Sequence, residues 1–142
     1  MNCDLIKAVE ILNKKQCTCV LCCGNDSFIS EKRGVKPLLD WLDSGFDFKG
    51  FSAADKVVGN AAAFLYVLLG VSEVYAGVIS EAAINTMTEN GIEIQYASSV
   101  KYIINRSGDG KCPMEASVEG ITDPVKAIFA VRQKLKDLSG RN

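Results

Sequence analysis

The chain has 142 residues, of which 48% are hydrophobic and 23% are charged, with 16 basic and 17 acidic side chains. This is an ordinary length and composition for one hydrophobic core, so a single globular domain over residues 1–142 is expected. The near-neutral charge excludes the basic surface that non-specific nucleic-acid binding requires. The absence of histidine excludes His-based catalytic triads and His metal ligands.

The composition also bears on location. No stretch approaches the roughly 18 apolar residues of a membrane-spanning helix, and the polar start at Asn2 and Asp4 is unlike a signal peptide. We therefore expect a cytoplasmic protein without membrane contact. Six cysteines occur, four of them between positions 17 and 23, and this spacing is wrong for a disulfide scaffold. The thiols are expected to be reduced.

Hydrophobic periodicity in the first third of the chain predicts a helix, a β-hairpin and a second helix. The predicted ranges are 4–14 for the first helix, 17–23 and 27–30 for the two strands, and 37–42 for the second helix. A third helix is predicted from Ser52 to Leu69, because Ser52 and Asp55 have the spacing of a capping box.

The rest of the pattern predicts a strand, a helix and a strand, followed by two helices. The ranges are 73–79, 81–89 and 92–96, then a short helix opened by Cys112 and Pro113 and a last helix after Thr122 and Asp123. The expected buried face of the last helix carries Val125, Ile128, Phe129, Val131 and Leu135. A hairpin followed by parallel crossovers predicts an α/β fold with three layers, α/β/α, around a mixed sheet.

The clustered cysteines raise the question of a metal site. On a strand, Cys17, Cys19 and Cys23 share one face and Cys22 points to the other. Four thiolates on one strand do not close a tetrahedron around zinc, so buried structural cysteines are the preferred interpretation. No cofactor is expected.

Five stretches of the sequence are similar to a known family. They are residues 33–38 (RGVKPL), 51–59 (FSAADKVVG), 78–81 (VISE), 102–106 (YIINR) and 112–115 (CPME). With the predicted order of elements, they resemble the DUF1893 (TM1506-like) family, which has the cytidine deaminase-like fold. The resemblance implies that topology and no particular activity.

Zinc deaminases carry a His-x-Glu motif at the start of one helix and a Pro-Cys-x-x-Cys motif at the start of the next. If Asp55 occupies the position of the glutamate, Ala53 occupies that of the histidine, and Ala83 and Thr86 those of the thiolates. All three zinc ligands are then missing. The resemblance therefore implies the fold without zinc-dependent deamination.

Two groups of polar residues are candidates for catalysis. The helix starts converge in this type of fold, which places Asp55 and Lys56 near Ser80 and Glu81 as an acid–base pair or polar clamp. The alternative is a capping carboxylate with a solvated neighbour. Cys112, as the N-cap before Pro113, is a candidate nucleophile, or else a small apolar contact.

A third group is basic and is a candidate for ligand binding. Arg33, Lys36, Asn105 and Arg106 lie in glycine-containing loops, where we expect them to form a rim for a phosphate or carboxylate. The alternative is that these loops carry charge for solubility alone.

The leading functional hypothesis is a metal-free domain that binds a small anionic or nucleotide-like ligand. The first alternative is a zinc-independent enzyme with Cys112 as nucleophile and Lys56, Asp55 or Glu81 as acid–base partners. The second is a structural, oligomer-forming protein. By analogy with the fold, a homo-oligomer is expected.

Overall fold

A five-stranded mixed sheet forms the centre of the computed structural model, which describes residues 2–105 and 107–139. The strands are β1 (Cys19–Cys23), β2 (Asp26–Ser30), β3 (Ser52–Val58), β4 (Glu73–Ser80) and β5 (Glu93–Val100). The helices are α1 (Cys3–Lys14), α2 (Lys36–Asp43), α3 (Asn60–Leu69), α4 (Glu81–Glu89), α5 (Pro113–Ser117) and α6 (Pro124–Ser139).

The strand order is β2-β1-β3-β4-β5. The pairs β1–β2 and β1–β3 are antiparallel, whereas β3–β4 and β4–β5 are parallel. Parallel neighbours need a crossover, and α3 and α4 supply the two crossovers here. The predicted α/β fold with a mixed sheet is confirmed.

Two hydrophobic clusters lie on opposite faces of the sheet. Strand alternation puts Val20 and Cys22 beneath α1, with Ala8 and Leu12. Leu21 and Ala53 face the larger cluster, which includes nearly all of α3. The chain therefore has three layers, with α1 on one face and the larger helical layer on the other. Within the described ranges, no helix combines the length and apolar character needed to cross a membrane.

The predicted helix from Ser52 to Leu69 is wrong in its first half. Residues 52–58 form β3, which pairs with β1 on one side and β4 on the other, and α3 begins only at Asn60, after Gly59. The Ser52 hydroxyl donates to the Asn2 side chain and caps no helix. Two ladders of hydrogen bonds in the centre of a sheet outweigh a local capping pattern.

This correction removes the proposed correspondence with the zinc deaminases at the first motif. Ala53 and Asp55 lie within a strand and not at a helix start, so the alignment of Asp55 with the deaminase glutamate is wrong. Asp55 remains a candidate site residue for another reason: its side chain is a buried acid that contacts α3.

Two further expectations about burial are corrected. On α6, Val131 is buried, but Val125 and Phe129 are 53% and 69% exposed, because only a narrow stripe of the helix packs on the core. Cys17 does not share a face with Cys19, since β1 begins at Cys19 and Cys17 lies with Cys22 beneath α1.

The last strand is longer than predicted, because its pairing with β4 continues to Val100.

Candidate functional site

A cavity of about 680 Å³ opens beside the first turn of α3. Its lining comes from residues 33–36 at the start of α2, residues 55–57 of β3, the first turn of α3, residues 112–115 at the start of α5 and the last turns of α6, together with Thr18 and Ile103. Its walls are mainly apolar and include Val35, Ala61, Ala62, Ile103, Met114, Leu135 and Leu138. A volume of this size is typical of small-molecule sites.

Three cations lie among the residues that line this cavity. Arg33, Lys36 and Lys56 are all exposed. Within residues 2–105 and 107–139, none of them forms an ion pair, whereas nearby Lys32 is paired with Asp40 at 2.6 Å. The charges of Arg33 and Lys36 are thus available to an anion that enters the cavity. The charge of Lys56 also acts on the Cys17 thiol beneath α1, where it opposes the rise in pKa that burial causes.

The start of α3 adds a second source of positive potential. Its N-cap is Gly59, which has no side chain to bond the first amide groups of the helix. Gly59, Ala61 and Ala62 all line the cavity. Amide groups at a helix N-terminus have no intrahelical acceptor and carry partial positive charge, so they favour anionic groups.

Asp55 is the buried acid of the cavity and is only 7% exposed. The Tyr66 hydroxyl donates to its Oδ2 at 2.7 Å, and the Val57 amide donates to its Oδ1 at 3.3 Å. The Cys19 thiol lies 3.0 Å from the same hydroxyl, which makes a buried chain of three titratable groups. Burial, opposed by these hydrogen bonds, raises the pKa of Asp55 from 3.8 to about 6.

Glu115 is a second buried carboxylate that the sequence analysis did not select. It is 6% exposed, and its Oε2 accepts a hydrogen bond of 2.6 Å from the Ile103 amide. Its position in the first turn of α5 suggests ordinary capping, but the side chain instead bonds a separate loop. The sequence pattern alone is the same for a capping glutamate and for one that bonds a loop. The two roles are distinguished only by the tertiary structure, which brings the loop at Ile103 close to α5.

Cys112 lines the same cavity and is half-buried. Its extended backbone makes it the N-cap of α5, with Pro113 following as predicted. The Cys112 amide donates to the Ile103 carbonyl, which ties α5 to the same loop that contacts Glu115. The structure thus places Cys112, Asp55, Lys56, Arg33 and Lys36 around one cavity.

Glu81 lies elsewhere. It lines a smaller cavity of about 420 Å³, together with Asn60, Lys101, Tyr102 and Glu119. Glu115 lines both cavities and therefore stands between them. Glu81 is not brought to the cavity that holds Cys112.

Ser80 and Asn105 also lie outside the main cavity. Ser80 is fully buried, and its hydroxyl accepts from the Ala83 amide as the N-cap of α4. Asn105 bonds Asp109 and Ser107 within its own loop and lines neither cavity. Arg106 lies outside the described residues.

In the part of the chain that the structure describes, no three His, Cys, Asp or Glu side chains are grouped to hold a metal ion. The four clustered cysteines divide between the two faces of the sheet. Cys19 and Cys23 pack with the larger cluster on the α3 side, and Cys17 and Cys22 lie beneath α1.

Comparison with known proteins gives a family and a fold. The TM1506 family, described as a domain of unknown function (DUF1893), matches residues 7–135. The crystal structure of a DUF1893 family protein (TM1506) from Thermotoga maritima is 29% identical, with a TM-score of 0.86 over 94% of this chain and 92% of that one. Curated proteins give no match.

A second solved structure is more distant. It is a diaminohydroxyphosphoribosylaminopyrimidine deaminase/5-amino-6-(5-phosphoribosylamino)uracil reductase from Thermotoga maritima, 12% identical, with a TM-score of 0.42. The match covers 66% of this chain and 35% of that one. This likeness is too low to assign a shared fold or activity.

Proposed function

We propose that this chain, which belongs to the DUF1893 (TM1506) family, binds a small organic anion in the cavity beside the first turn of α3. One observation carries the proposal. Three cations without an ion-pair partner in the described residues, Arg33, Lys36 and Lys56, lie on an otherwise mainly apolar cavity of about 680 Å³.

The two kinds of surface have different roles. Guanidinium and ammonium groups bind phosphate or carboxylate, and Arg33 is able to do so with two parallel hydrogen bonds. The apolar walls bury the organic part of the ligand, a contribution of about 25 cal/mol for each Å² removed from water. A free inorganic anion would use only the first surface, so an anion with an organic body is the better fit.

A ligand screen tests the proposal. Nucleoside monophosphates, sugar phosphates and inorganic phosphate are added to the protein, thermal unfolding is followed, and hits are measured by titration calorimetry. A ligand that binds the native state alone raises the unfolding temperature by mass action. Arg33→Ala should weaken binding about tenfold or more, because it removes a charge-assisted contact.

The matched control is Lys126→Ala, which removes one exposed cation from α6, away from the cavity. It should leave the affinity unchanged. If no organic anion in the screen binds, the proposal is wrong. If a ligand binds equally well to the wild type, the Arg33 variant and the Lys126 variant, then it occupies another site.

A zinc-independent enzyme is the second candidate, and the placement of Cys112 favours it. The thiol lines the same cavity as Asp55, whose pKa of about 6 is suitable for an acid or base near neutral pH. Lys56 is the other potential proton-transfer group of this cavity.

Alkylation rates test the second candidate. Rates of iodoacetamide labelling at pH 6, resolved by peptide mass spectrometry, should be higher for Cys112 than for the exposed Cys3 if Cys112 is an activated nucleophile. Equal or slower labelling of Cys112 would exclude this candidate while leaving ligand binding intact.

The deaminase-like topology also belongs among the proposals. It is supported by the parallel β3-α3-β4-α4-β5 unit, in which Asn60 and Glu81 at the two helix starts border one cavity. The Thr86 hydroxyl donates to the Asn60 side chain at 2.5 Å and joins α3 to α4 there. Ala83 and Thr86 supply no thiolates, so we propose no zinc-dependent deamination.

A further inference from the structure

The main cavity has two chemically different ends. The cations that line it are exposed, whereas its two carboxylates, Asp55 and Glu115, are 7% and 6% exposed. An anion held by Arg33 and Lys36 would share the cavity with these two buried acids. The proposed function uses only the cations.

Of the two buried carboxylates, Glu115 has the larger hydrogen-bonding capacity left. An ionised carboxylate has about four acceptor positions. Glu115 accepts from the Ile103 amide through Oε2. Asp55 accepts from Tyr66 and Val57, and Cys19 and the Lys56 amide also donate to it, so its acceptor positions are largely occupied. Both groups line the cavity.

No protein cation neutralises these two acids at close range. Within the described ranges, no lysine or arginine nitrogen lies within ion-pair distance of Asp55 or Glu115. Lys111 has its pKa raised chiefly by its hydrogen bond to Glu119 and also by the charge of Glu115. It lines the smaller cavity, however, and is not among the residues of the main one.

We infer that the ligand of the main cavity is an amino-bearing organic anion, whose anionic group contacts Arg33 and Lys36 and whose amino group donates to Glu115. A protonated amine supplies donors and positive charge, which the buried carboxylates lack. An otherwise identical anion with a hydroxyl in that position supplies one neutral donor. This inference rests on the proposed function, because it assumes the same cavity and the same anion-binding end.

Two matched pairs of probes isolate the amino group. O-Phosphoserine is compared with 3-phosphoglycerate, and glucosamine 6-phosphate with glucose 6-phosphate, by titration calorimetry at pH 7.5. In each pair an amine replaces a hydroxyl. The amino member of at least one pair should bind about tenfold to a hundredfold more tightly, as expected for hydrogen bonds to charged groups.

Three variants then locate the preference. Glu115→Gln keeps an oxygen for the Ile103 amide but removes the charge, and Asp55→Asn does the same for the Tyr66 hydroxyl. Glu115→Gln should reduce the preference for the amine about tenfold, because it removes the charged acceptor. Asp55→Asn should reduce it less, because Asp55 lines the cavity but is already hydrogen-bonded within the protein. The control Glu89→Gln neutralises an exposed carboxylate that does not line the cavity and should preserve it.

The outcomes separate this inference from the proposed function. Equal binding within each pair, with affinity lost in Arg33→Ala, would overturn the amino preference and support the anion site. Binding of other anions from the screen but of neither pair would also overturn it. If no organic anion binds at all, the proposed function fails. If Asp55→Asn does not fold, the Glu115→Gln result decides, and a preference unchanged there refutes the inference.

Discussion

Neutralising Asp55 should change how the stability of the protein depends on pH. Folding raises the pKa of Asp55 from 3.8 to about 6, mainly through burial, although hydrogen bonds from Tyr66 and Val57 oppose this. Between these pH values the folded chain holds a proton that the unfolded chain releases. The contribution of Asp55 to the free energy of unfolding therefore falls as the pH rises through this window.

The magnitude follows from the width of the window. Each pH unit between the two pKa values of Asp55, 3.8 and about 6, is worth about 1.4 kcal/mol. Ionised Asp55 thus lowers the free energy of unfolding by about 3 kcal/mol relative to the protonated form. Its polar neighbours do not titrate in this range, because burial raises the pKa values of Cys19 and Tyr66 well above their usual range.

The assay is urea denaturation of the wild type and Asp55→Asn from pH 4 to pH 8, followed by the fluorescence of the single tryptophan, Trp41. The amide resembles the carboxyl group in shape, accepts from Tyr66 and cannot ionise. The wild-type free energy of unfolding, minus that of the variant, should fall by about 2.5 kcal/mol from pH 4 to pH 8, with a midpoint near pH 5, about halfway between the two pKa values.

Glu89→Gln serves as the control, because it removes an exposed carboxylate from the end of α4. Its difference from the wild type should stay nearly flat over the same pH range. A flat difference for Asp55→Asn, or one that grows with pH, would refute the conclusion that burial dominates the titration of Asp55.

Two other substitutions test the surroundings of this acid and the packing of the sheet. Tyr66→Phe should lower the free energy of unfolding, measured by urea denaturation, by about 1–3 kcal/mol at pH 8 and by less at pH 4. The reason is that it removes a hydrogen-bond donor to ionised Asp55. An equal loss at both pH values would contradict this. Gly77→Ala should cost about 1–3 kcal/mol, since an added Cβ would lie 2.6 Å from the Lys56 carbonyl oxygen. Gly110→Ala is its control, because the nearest atom is 3.8 Å away, and equal effects of the two alanine substitutions would refute the packing argument.

Most of the fold could be predicted because local patterns and tertiary contacts agree. The helix predicted over residues 4–14 is observed at Cys3–Lys14, and the turn at Gly24 joins two strands as expected. The β4-α4-β5 unit was predicted for the same reason, since alternating strands flank a helix with a Ser80 cap. A local sequence pattern predicts structure reliably when the tertiary contacts of the fold favour the same element.

The error at β3 shows where local patterns fail. Residues 52–58 contain a capping signal and small residues that are compatible with a helix, and they precede an apolar helix without a break other than Gly59. What makes them a strand is pairing with β1, which is about 30 residues earlier, and with β4, which follows later. A local window contains neither partner.

The residues of the candidate site were also predicted correctly only in part. Residue chemistry singled out Arg33, Lys36, Asp55, Lys56 and Cys112, and the fold brings these five to one cavity. The same reasoning selected Glu81 and Asn105, which the fold places elsewhere, and it did not select Glu115. Charge and nucleophilicity belong to a residue type, but proximity depends on how loops approach each other.

The sequence by itself determined the fold class, the absence of histidine chemistry and the family resemblance, because composition, periodicity and motifs are properties of the chain. Only the tertiary structure decided that Asp55 is a buried strand residue bonded to Tyr66, and that Glu115 reaches the Ile103 amide. Burial and hydrogen bonding depend on segments that are distant in sequence, and these contacts set the ionisation of Asp55 and the polarity of the cavity.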